Sequence, residues 1–336
     1  MHKVLVDFPY QPDLPANFEG FADVLAARVG AGRARAIMAS RLRRCLAFFR
    51  LARGYDYVVP EWNRYGRTFC VLQALRGRRN AVIMECIDFS NLHKPTLRTR
   101  ILKAAARWVS GPAMRRSVAR IQMMTDWEIE VFSDIYGFPR ERITCVPWPL
   151  SYSPQRAERA AAAGLGYVFS SGRACCDWPT VFAAARVGGW PLTVVCAGKD
   201  LDRVRQLNAA MEGRARVLCD IPREDHDRLM AEAAIVVISL EERMTSAGQI
   251  RLGEAISAGV PVVATAIRGL DGYLIDGVTG RAVPVGDAAA MSHAVAALLA
   301  DPAEAEALAE RAQVHARPFT RPAYFAAVAA MVDSLP

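Results

Sequence analysis

Short apolar runs alternate along the chain with segments in which apolar residues recur at helical spacing. In the first half, these runs occupy 4–6, 55–59, 81–85, 121–124 and 143–147. Short runs of this kind, bounded by turn residues, are typical of strands that are buried in a parallel sheet. Their alternation with helical segments predicts an α/β domain whose sheet is covered on both faces.

The second half of the chain repeats this pattern. Strand-like runs lie at 167–170, 192–197, 216–219, 235–239 and 260–265. The run at 235–239 is apolar until its final serine, as expected of a central parallel strand. The second half therefore predicts a second α/β domain with the same layered architecture.

Proline and alanine mark the boundary between the two predicted domains. The stretch from Pro147 to Pro154 is followed by the Ala-rich residues 157–164. Proline-marked stretches between periodic segments are typical of linkers. We therefore predict one domain over 1–150, a second over 151–318, and a terminal segment, 319–336, that contains the last helix.

Helical periodicity in the first half predicts helices over 21–29, 33–53 and 97–119. The segment 33–53 is expected to be one helix that ends at Gly54, and 97–119 is expected to be a long helical segment. A further helix is expected to begin at Thr125, because a threonine followed three residues later by a glutamate, here Glu128, forms a capping box.

Composition narrows the class of protein. The 336 residues are 52% hydrophobic and 23% charged, a globular balance that excludes a disordered chain and suits two domains. We expect no transmembrane helix, no secretory signal, and a cytoplasmic protein whose eight cysteines are reduced. No metal site is expected either, because the cysteines lack Cys-x-x-Cys spacing and the five histidines are scattered.

Positive charge is concentrated in the first half. The net charge is +8, and residues 1–150 hold 24 Lys and Arg against 13 Asp and Glu. The stretches 28–53 and 94–120 are rich in arginine and contain no acidic residue. Basic amphipathic helices bind anionic lipid surfaces, so we predict an acceptor or membrane surface here. The side chains predicted for it are Arg41, Arg43, Arg44, Arg98 and Arg100.

This charge allows two other interpretations. A solvated helix face whose apolar side packs in the core remains an alternative. Nucleic acid is not expected as a partner, because no recognised binding module accompanies the basic residues.

The segment from Ser239 to Gly286 carries the strongest candidate chemistry. A helix is expected to begin near Gly248, and its first turn would offer free backbone N–H groups to a phosphate. Glu254, about two turns later, can accept hydrogen bonds from a diol such as a ribose. The alternative is an ordinary helix on which Glu254 is solvated.

Acidic residues also follow predicted strands of the first domain. Glu85 and Asp88 come at the end of the strand at 81–85, and ligands of parallel sheets bind outside the carboxyl ends of the strands. We predict that Asp88 or Glu85 acts as an acceptor base or sugar contact, with a buried, paired Glu85 as the alternative. His93 and Glu61 are weaker candidates.

Several motifs resemble those of a known family. They are Ser171-Gly-Arg, Glu254-Ala-Ile-Ser-Ala-Gly-Val-Pro, Asp276-Gly-Val-Thr-Gly and Val283-Pro-Val-Gly-Asp. Together they resemble the family-4-type glycosyltransferases, also called glycosyl transferases group 1. The resemblance covers most of residues 121–300. It implies the GT-B fold, with two Rossmann-like domains facing an interdomain cleft and a last helix that returns to the first domain.

The resemblance also implies roles for individual residues. Glu254 would bind the donor ribose, and Arg173, next to Gly172, would neutralise the leaving diphosphate. Gly198 ends a strand beside the donor, and the loop that contains Ile221 would contact the nucleotide base. Gly248 and Gln249 would line the donor sugar and phosphate.

The chain departs from the family pattern at two places. The family carries a glutamate where this chain has Ser246, so either Glu241 or Glu242 substitutes for it or Ser246 makes the sugar contact. Ser246 is therefore included among the catalytic candidates and Glu242 among the donor contacts. The lysine that normally follows the arginine is also absent, and Asp177 and Trp178 lie in that stretch. This pair either contributes to the site or packs structurally.

The function implied by the resemblance is transfer of a sugar from a UDP- or GDP-linked donor to a lipid-linked or glycan acceptor. Retention of anomeric configuration without a metal or other cofactor is expected. The enzyme would serve cell-envelope polysaccharide synthesis, with its basic domain peripheral on the inner face of the membrane. A sugar-nucleotide epimerase or hydrolase, and a non-catalytic scaffold of the same fold, are the alternatives.

Overall fold

The computed structural model describes residues 2–7, 15–84, 89, 96–150 and 166–336. The chain divides into two compact units. The first contains Met1–Pro147 together with Pro322–Pro336, and the second contains Trp148–Arg321. Within the described residues, no helix is long and apolar enough to cross a membrane.

The first unit is built on six parallel strands. They are β1 (Val4–Val6), β2 (Phe18–Gly20), β3 (Tyr57–Val59), β4 (Ala81–Ile83), β5 (Val118–Met123) and β6 (Ile143–Cys145). Their order in the sheet is β2-β1-β3-β4-β5-β6. The helices of this part are α1 (Phe21–Val29), α2 (Ala31–Ala39), α3 (Arg41–Leu51), α4 (Arg67–Leu75), α5 (Leu97–Ala105), α6 (Gly111–Ser117) and α7 (Asp126–Tyr136).

Of the two predicted long helices, the one over 33–53 is interrupted, so that prediction was wrong, whereas the segment predicted over 97–119 is helical as far as Ser117. The segment 33–53 breaks at Ser40, which is extended and whose hydroxyl accepts a hydrogen bond from the Arg43 N–H, so that it caps a new helix. The segment 97–119 passes through a π-helical turn, Ala106–Ser110. It ends at Ser117, because Val118 begins a strand. The predicted capping box of Thr125 and Glu128 is confirmed.

A buried ionic cluster lies between α3 and β1. Arg44 is only 8% exposed, and its Nε and Nη2 donate to the two carboxylate oxygens of Asp7 at 2.8 and 2.6 Å. Its Nη2 also lies 2.7 Å from Oε2 of Glu61. The assignment of Arg44 to an acceptor or membrane surface is therefore wrong, because the guanidinium is buried between two carboxylates. Glu61, a weaker functional candidate, serves in this ion pair.

The second unit also has six parallel strands. They are β7 (Val168–Gly172), β8 (Leu192–Cys196), β9 (Arg216–Cys219), β10 (Ile235–Ile238), β11 (Val262–Thr265) and β12 (Arg281–Val283), in the order β12-β11-β10-β7-β8-β9. The helices are α8 (Trp178–Gly188), α9 (Leu201–Ala209), α10 (Arg223–Glu232), α11 (Gln249–Ser257), α12 (Ala288–Ala300) and α13 (Pro302–Ala316).

Alternate residues of this second sheet pack into two separate apolar layers. Along β10, Val237 packs in one cluster with Trp178, while Val236 and Ile238 pack in another with Leu252. Successive side chains of a strand point to opposite faces of the sheet, so both faces of β10 are covered by helices. This double burial explains why the strand reads as a continuous apolar run.

The last helix, α14 (Arg321–Asp333), belongs from Pro322 onward to the first unit. Tyr324 is buried there, and its hydroxyl lies 3.4 Å from Oε1 of Gln122 on β5. The hydroxyl of Tyr57 donates to the carbonyl of Pro336. The final residues therefore complete the packing around the first sheet.

Candidate functional site

A cavity of about 380 Å³ lies at the carboxyl ends of β7 and β8 in the second unit. The chain starts its sheet at β7, adds β8 and β9 on one side, and then adds β10 on the other side. Open parallel sheets bind ligands at this reversal of strand order. The residues that line the cavity are Ser171, Gly172, Arg173, Val195, Cys196, Asp220, Ile221, Arg223, His226, Ile250, Arg251 and Glu254.

Four predicted donor contacts meet in this cavity: Gly172, Arg173, Ile221 and Glu254. Gly198 lies beside them, since its N–H donates to Oδ2 of Asp220, another lining residue, at 2.9 Å. The structure therefore brings together residues that are 82 positions apart in the sequence.

Four other predicted contacts, Gln249, Glu242, Gly248 and Ser246, are not among the residues that line the cavity. Gln249 is buried, and its amide donates to the carbonyl of Gly269 at 2.6 Å. Glu242 is exposed and accepts a hydrogen bond from the N–H of Arg268 at 3.2 Å. Gly248 has a φ of +94° and is followed by α11, and Ser246 is buried.

Gly248 has no room for a side chain. An added Cβ would lie 2.7 Å from Cδ1 of Leu240, and a positive φ already disfavours other residues. The close approach of Leu240 places the first turn of α11 near the carboxyl end of β10. The helix expected to begin near Gly248 is confirmed.

The predicted catalytic residues Glu85 and Asp88, and the weaker candidate His93, lie outside the described residues. Asp177 and Trp178 lie in the stretch where the family has a lysine. Asp177 caps α8 by accepting a hydrogen bond from the N–H of Thr180, and Trp178 is fully buried. This pair therefore packs structurally.

The carboxylate of Glu254 is held by a neighbouring guanidinium. Glu254 is only 6% exposed, and its Oε1 lies 2.7 Å from Nη2 of Arg223. Nε of Arg223 lies 2.8 Å from Oδ1 of Asp227. Burial works against the charged guanidinium, but hydrogen bonds and attraction from Asp227 and Glu254 outweigh it, so the pKa of Arg223 is raised. The ion pair holds the Glu254 carboxylate in place at the wall of the cavity, where its oxygens can accept hydrogen bonds from a ligand.

Arg173 lies at the exposed edge of the cavity. One of its terminal nitrogens is 3.2 Å from Oδ1 of Asp220, and both side chains are largely accessible to water. Exposed ion pairs contribute little free energy. The guanidinium can therefore exchange Asp220 for an anionic ligand at small cost.

Arg251 is a basic residue of the cavity that the sequence analysis missed. Its Nη1 donates to the carbonyl of Ser171 and lies 3.6 Å from Sγ of Cys176, while Nη2 lies 3.5 Å from the carbonyl of Ala174. Within the described part of the chain, no salt bridge to a carboxylate engages this guanidinium. Its positive charge is therefore available to a ligand phosphate.

A spacing signal for Arg251 exists in the sequence. It precedes Glu254 by three positions on the same helix, and residues three apart share a helix face. Gly172 makes room for Arg251. An added Cβ at Gly172 would collide with both the Arg251 guanidinium and the Cys176 thiol. The absence of a side chain at Gly172 therefore leaves room for the Arg251 guanidinium at the end of β7.

His226 is the second functional candidate that the sequence analysis missed. Its Nε2 lies 3.0 Å from Oγ of Ser171, and its Nδ1 lies 3.4 Å from Oδ1 of Asp227. The ring also packs edge-on against Phe169 at 5.4 Å between centroids. His226 therefore orients the Ser171 hydroxyl at the floor of the cavity.

Cys196 allows a chemical test of the cavity. Burial, together with the neighbouring Cys219 thiol, raises the pKa of Cys196 to about 11. At pH 8 only about one such thiol in a thousand is ionised, and the thiolate is the reactive form. We expect iodoacetamide to leave Cys196 unmodified in the native protein at pH 8 and to alkylate it after unfolding in urea. Peptide mass spectrometry reads both results, and rapid labelling of the native thiol would contradict the structure.

Among the residues that the structure describes, no cluster of three or more His, Cys, Asp or Glu side chains could hold a metal ion. The polar groups of the cavity are instead guanidinium groups, carboxylates, a hydroxyl and an imidazole. This set suits a ligand that carries both phosphate and hydroxyl groups.

Comparison with known proteins agrees with this chemistry. Residues 175–301 match the family model of the glycosyl transferases group 1. The structure of Anabaena Alr3699/HepE in complex with UDP-glucose is similar with a TM-score of 0.67 at 16% identity, covering 100% of each chain. Sucrose-phosphate synthase from Thermosynechococcus elongatus gives a TM-score of 0.67 at 18% identity, over 87% of this chain and 77% of that one. No curated protein matches the sequence.

A glycosyltransferase from Rickettsia africae ESF-5 is also similar, with a TM-score of 0.62 at 12% identity over 87% of this chain and 80% of that chain. The two six-stranded parallel sheets and these similarities define the GT-B fold, which confirms the predicted fold class. The protein therefore has the GT-B fold, and its residues 175–301 are similar to the glycosyl transferases group 1.

Proposed function

We propose that the cavity of the second unit binds a UDP- or GDP-linked sugar, and that the enzyme transfers this sugar to a lipid-linked or glycan acceptor. The observation that carries the proposal is the meeting of Arg173, Arg251 and the buried carboxylate of Glu254 around one cavity. The similar Alr3699/HepE structures contain UDP and UDP-glucose, which supports a nucleotide sugar as the donor.

The donor is proposed to lie along the cavity from Ile221 to Arg173. The base contacts the loop after β9, where Ile221 lines the wall, and the ribose hydroxyls donate to Glu254. The diphosphate lies between Arg173 and Arg251. Fixed positive charge stabilises the leaving diphosphate as the bond to the sugar breaks, so these two arginines carry the electrostatic part of catalysis.

The transfer is proposed to retain anomeric configuration by front-side attack and to need neither metal nor other cofactor. The leaving phosphate assists removal of the acceptor proton, and Asp88 or Glu85 contacts the acceptor or the sugar. Ser246 is proposed to contact the sugar where the family has a glutamate. The guanidinium groups of the cavity support this proposal, because they supply the charge that a divalent cation would otherwise provide.

The first unit is proposed to bind the acceptor at an anionic membrane surface, peripheral on its inner face. The concentration of positive charge in residues 1–150 supports this placement. Arg41, Arg43, Arg98 and Arg100 are exposed, as a contact with lipid headgroups requires.

The donor site is tested by calorimetry with UDP, GDP and their sugars. We expect Glu254→Ala and Arg173→Ala each to weaken nucleotide binding by about 10-fold or more, since a hydrogen bond to a charged group contributes about 1.5–3 kcal/mol. Glu254→Ala should also abolish discrimination against 2′-deoxy-UDP, because its partner is the ribose diol.

Glu224→Ala is the matched control, because Glu224 is an exposed acid on α10 that does not line the cavity. It should bind nucleotide like the parent protein. The donor-site proposal is wrong if the parent protein does not bind nucleotide. It is also wrong if Glu254→Ala and Arg173→Ala both bind nucleotide as the parent does. Sugar release without any acceptor would instead identify a donor hydrolase.

A further inference from the structure

The helix α5 and the π-helical turn after it, residues 97–110, turn an apolar stripe outward. Thr99 is buried and Lys103, Ala106 and Ser110 are half-buried, at the spacing of one helix face. That face packs on the protein. On the outward face, Leu97, Ile101 and Trp108 are 72%, 61% and 75% exposed. Together these three side chains form what we call the outer stripe.

Positive charge borders the outer stripe. The exposed basic side chains of this segment are Arg98, Arg100 and Arg107, and the sequence from 94 to 120 has no acidic residue. Within the described ranges, no salt bridge engages Arg98, Arg100 or Lys103. Arg107 donates to the carbonyl of Asp134 at 2.8 Å, which ties the turn to α7 without neutralising the charge.

The outer stripe and the basic side chains beside it together indicate a membrane-binding surface. An apolar stripe with basic flanks is the pattern of helices that lie in the plane of a membrane interface. A tryptophan ring prefers the headgroup level, since it is apolar over most of its surface and carries one hydrogen-bond donor. Long arginine and lysine side chains can extend from such a helix to lipid phosphates.

Other partners fit less well. A second copy of the chain would bring three more exposed positive charges against this surface, and like charges repel. A nucleic-acid backbone would pair with the arginines but would leave the outer stripe in water. An anionic bilayer satisfies both parts of the surface at once.

We infer that residues 97–110 are an interfacial anchor that inserts Leu97, Ile101 and Trp108 into an anionic bilayer while the flanking basic side chains bind lipid phosphates. The inference rests on the proposed membrane placement of the first unit and goes further by naming the contact surface. The anchor would hold the acceptor-binding unit at the surface where a lipid-linked acceptor lies.

The test is co-sedimentation with vesicles of phosphatidylcholine alone or mixed with phosphatidylglycerol. The parent should bind only the mixed vesicles and should be released by salt. Arg98→Gln combined with Arg100→Gln should lower the partition coefficient by about 25-fold, at about fivefold for each basic side chain. Ile101→Asp should lower it by about 10-fold or more.

Val187→Ser is the matched control, because Val187 is a 67% exposed apolar residue on α8 of the second unit. Its vesicle binding should equal that of the parent. Melting temperatures establish that each variant is folded. Subtracting the tryptophan fluorescence spectrum of Trp108→Phe from that of the parent gives the emission of Trp108 alone. The maximum of this difference spectrum should move to shorter wavelength when mixed vesicles are added.

Equal binding to neutral vesicles, or unchanged binding by Ile101→Asp, would overturn the inference. A parent dimer in sedimentation velocity that Ile101→Asp dissociates would also overturn it, by identifying a second copy as the occupant. Nucleotide calorimetry on the same samples separates the two proposals, because the donor cavity lies in the second unit. If the protein fails to bind vesicles but still binds UDP, the anchor is wrong and the proposed donor site is unaffected.

Discussion

Replacing Arg251 with alanine is expected to lower kcat/KM for sugar transfer by about 10²-fold, the usual effect of removing one group that stabilises developing negative charge. Arg251 lines the cavity one helical turn from Glu254. Among the described residues, no carboxylate forms a salt bridge with its guanidinium, so its positive charge is not neutralised. The same substitution should weaken binding of UDP but not of uridine, because only UDP carries the diphosphate. Calorimetry with both ligands checks this difference.

Two further variants sharpen the test of Arg251. Arg251→Lys keeps the charge but loses the two-pronged contact with the carbonyls of Ser171 and Ala174, so it should recover part of the lost activity. Arg228→Ala removes an exposed arginine of α10 that pairs with Asp225 outside the cavity. It should match the parent. Equal loss of UDP and uridine affinity in Arg251→Ala would show that the residue only holds the loop after β7.

Arg44→Ala is expected to destabilise the protein by about 3–5 kcal/mol, the cost of leaving buried charge without its partner. Asp7 would keep its carboxylate in the interior with both guanidinium hydrogen bonds removed, and Glu61 would lose its ion pair. A loss of this size should lower the melting temperature of a domain of this length by about 10 °C. Thermal unfolding followed by circular dichroism measures it.

Arg43→Ala is the control for Arg44, since the neighbouring side chain on the same helix is exposed. Its stability should lie within about 0.5 kcal/mol of the parent. If the two variants melted at the same temperature, the ionic cluster would contribute nothing to stability.

The sequence predicted the strands well because a buried parallel strand leaves a compact local signal. The run at 235–239 contains β10, whose four residues are all buried, and the helix predicted at 21–29 coincides with α1. The strand β2, Phe18–Gly20, escaped prediction because three residues that include a glutamate and a glycine form no apolar run. Its pairing with β1 comes from the tertiary structure.

Charge was harder to interpret than apolarity. Arg41, Arg43 and Arg44 are neighbours in a stretch without acids, yet only Arg44 turns inward to meet Asp7, which lies 37 positions away. A pattern of local charge cannot show a distant partner. The same limit hid Arg223 and His226, whose contacts with Glu254 and Ser171 join separate elements of the second unit.

The route of the chain through its two units affects the order in which they can fold. Residues 148–321 form one uninterrupted stretch, whereas the first unit receives Tyr324, Phe325 and Val328 only from the last helix. During synthesis the second unit can close its core while the first still lacks those three side chains. Until residues 322–336 have left the ribosome, the first unit lacks the apolar side chains that pack beside β5, and exposed apolar surface of this kind makes partly folded chains prone to aggregate.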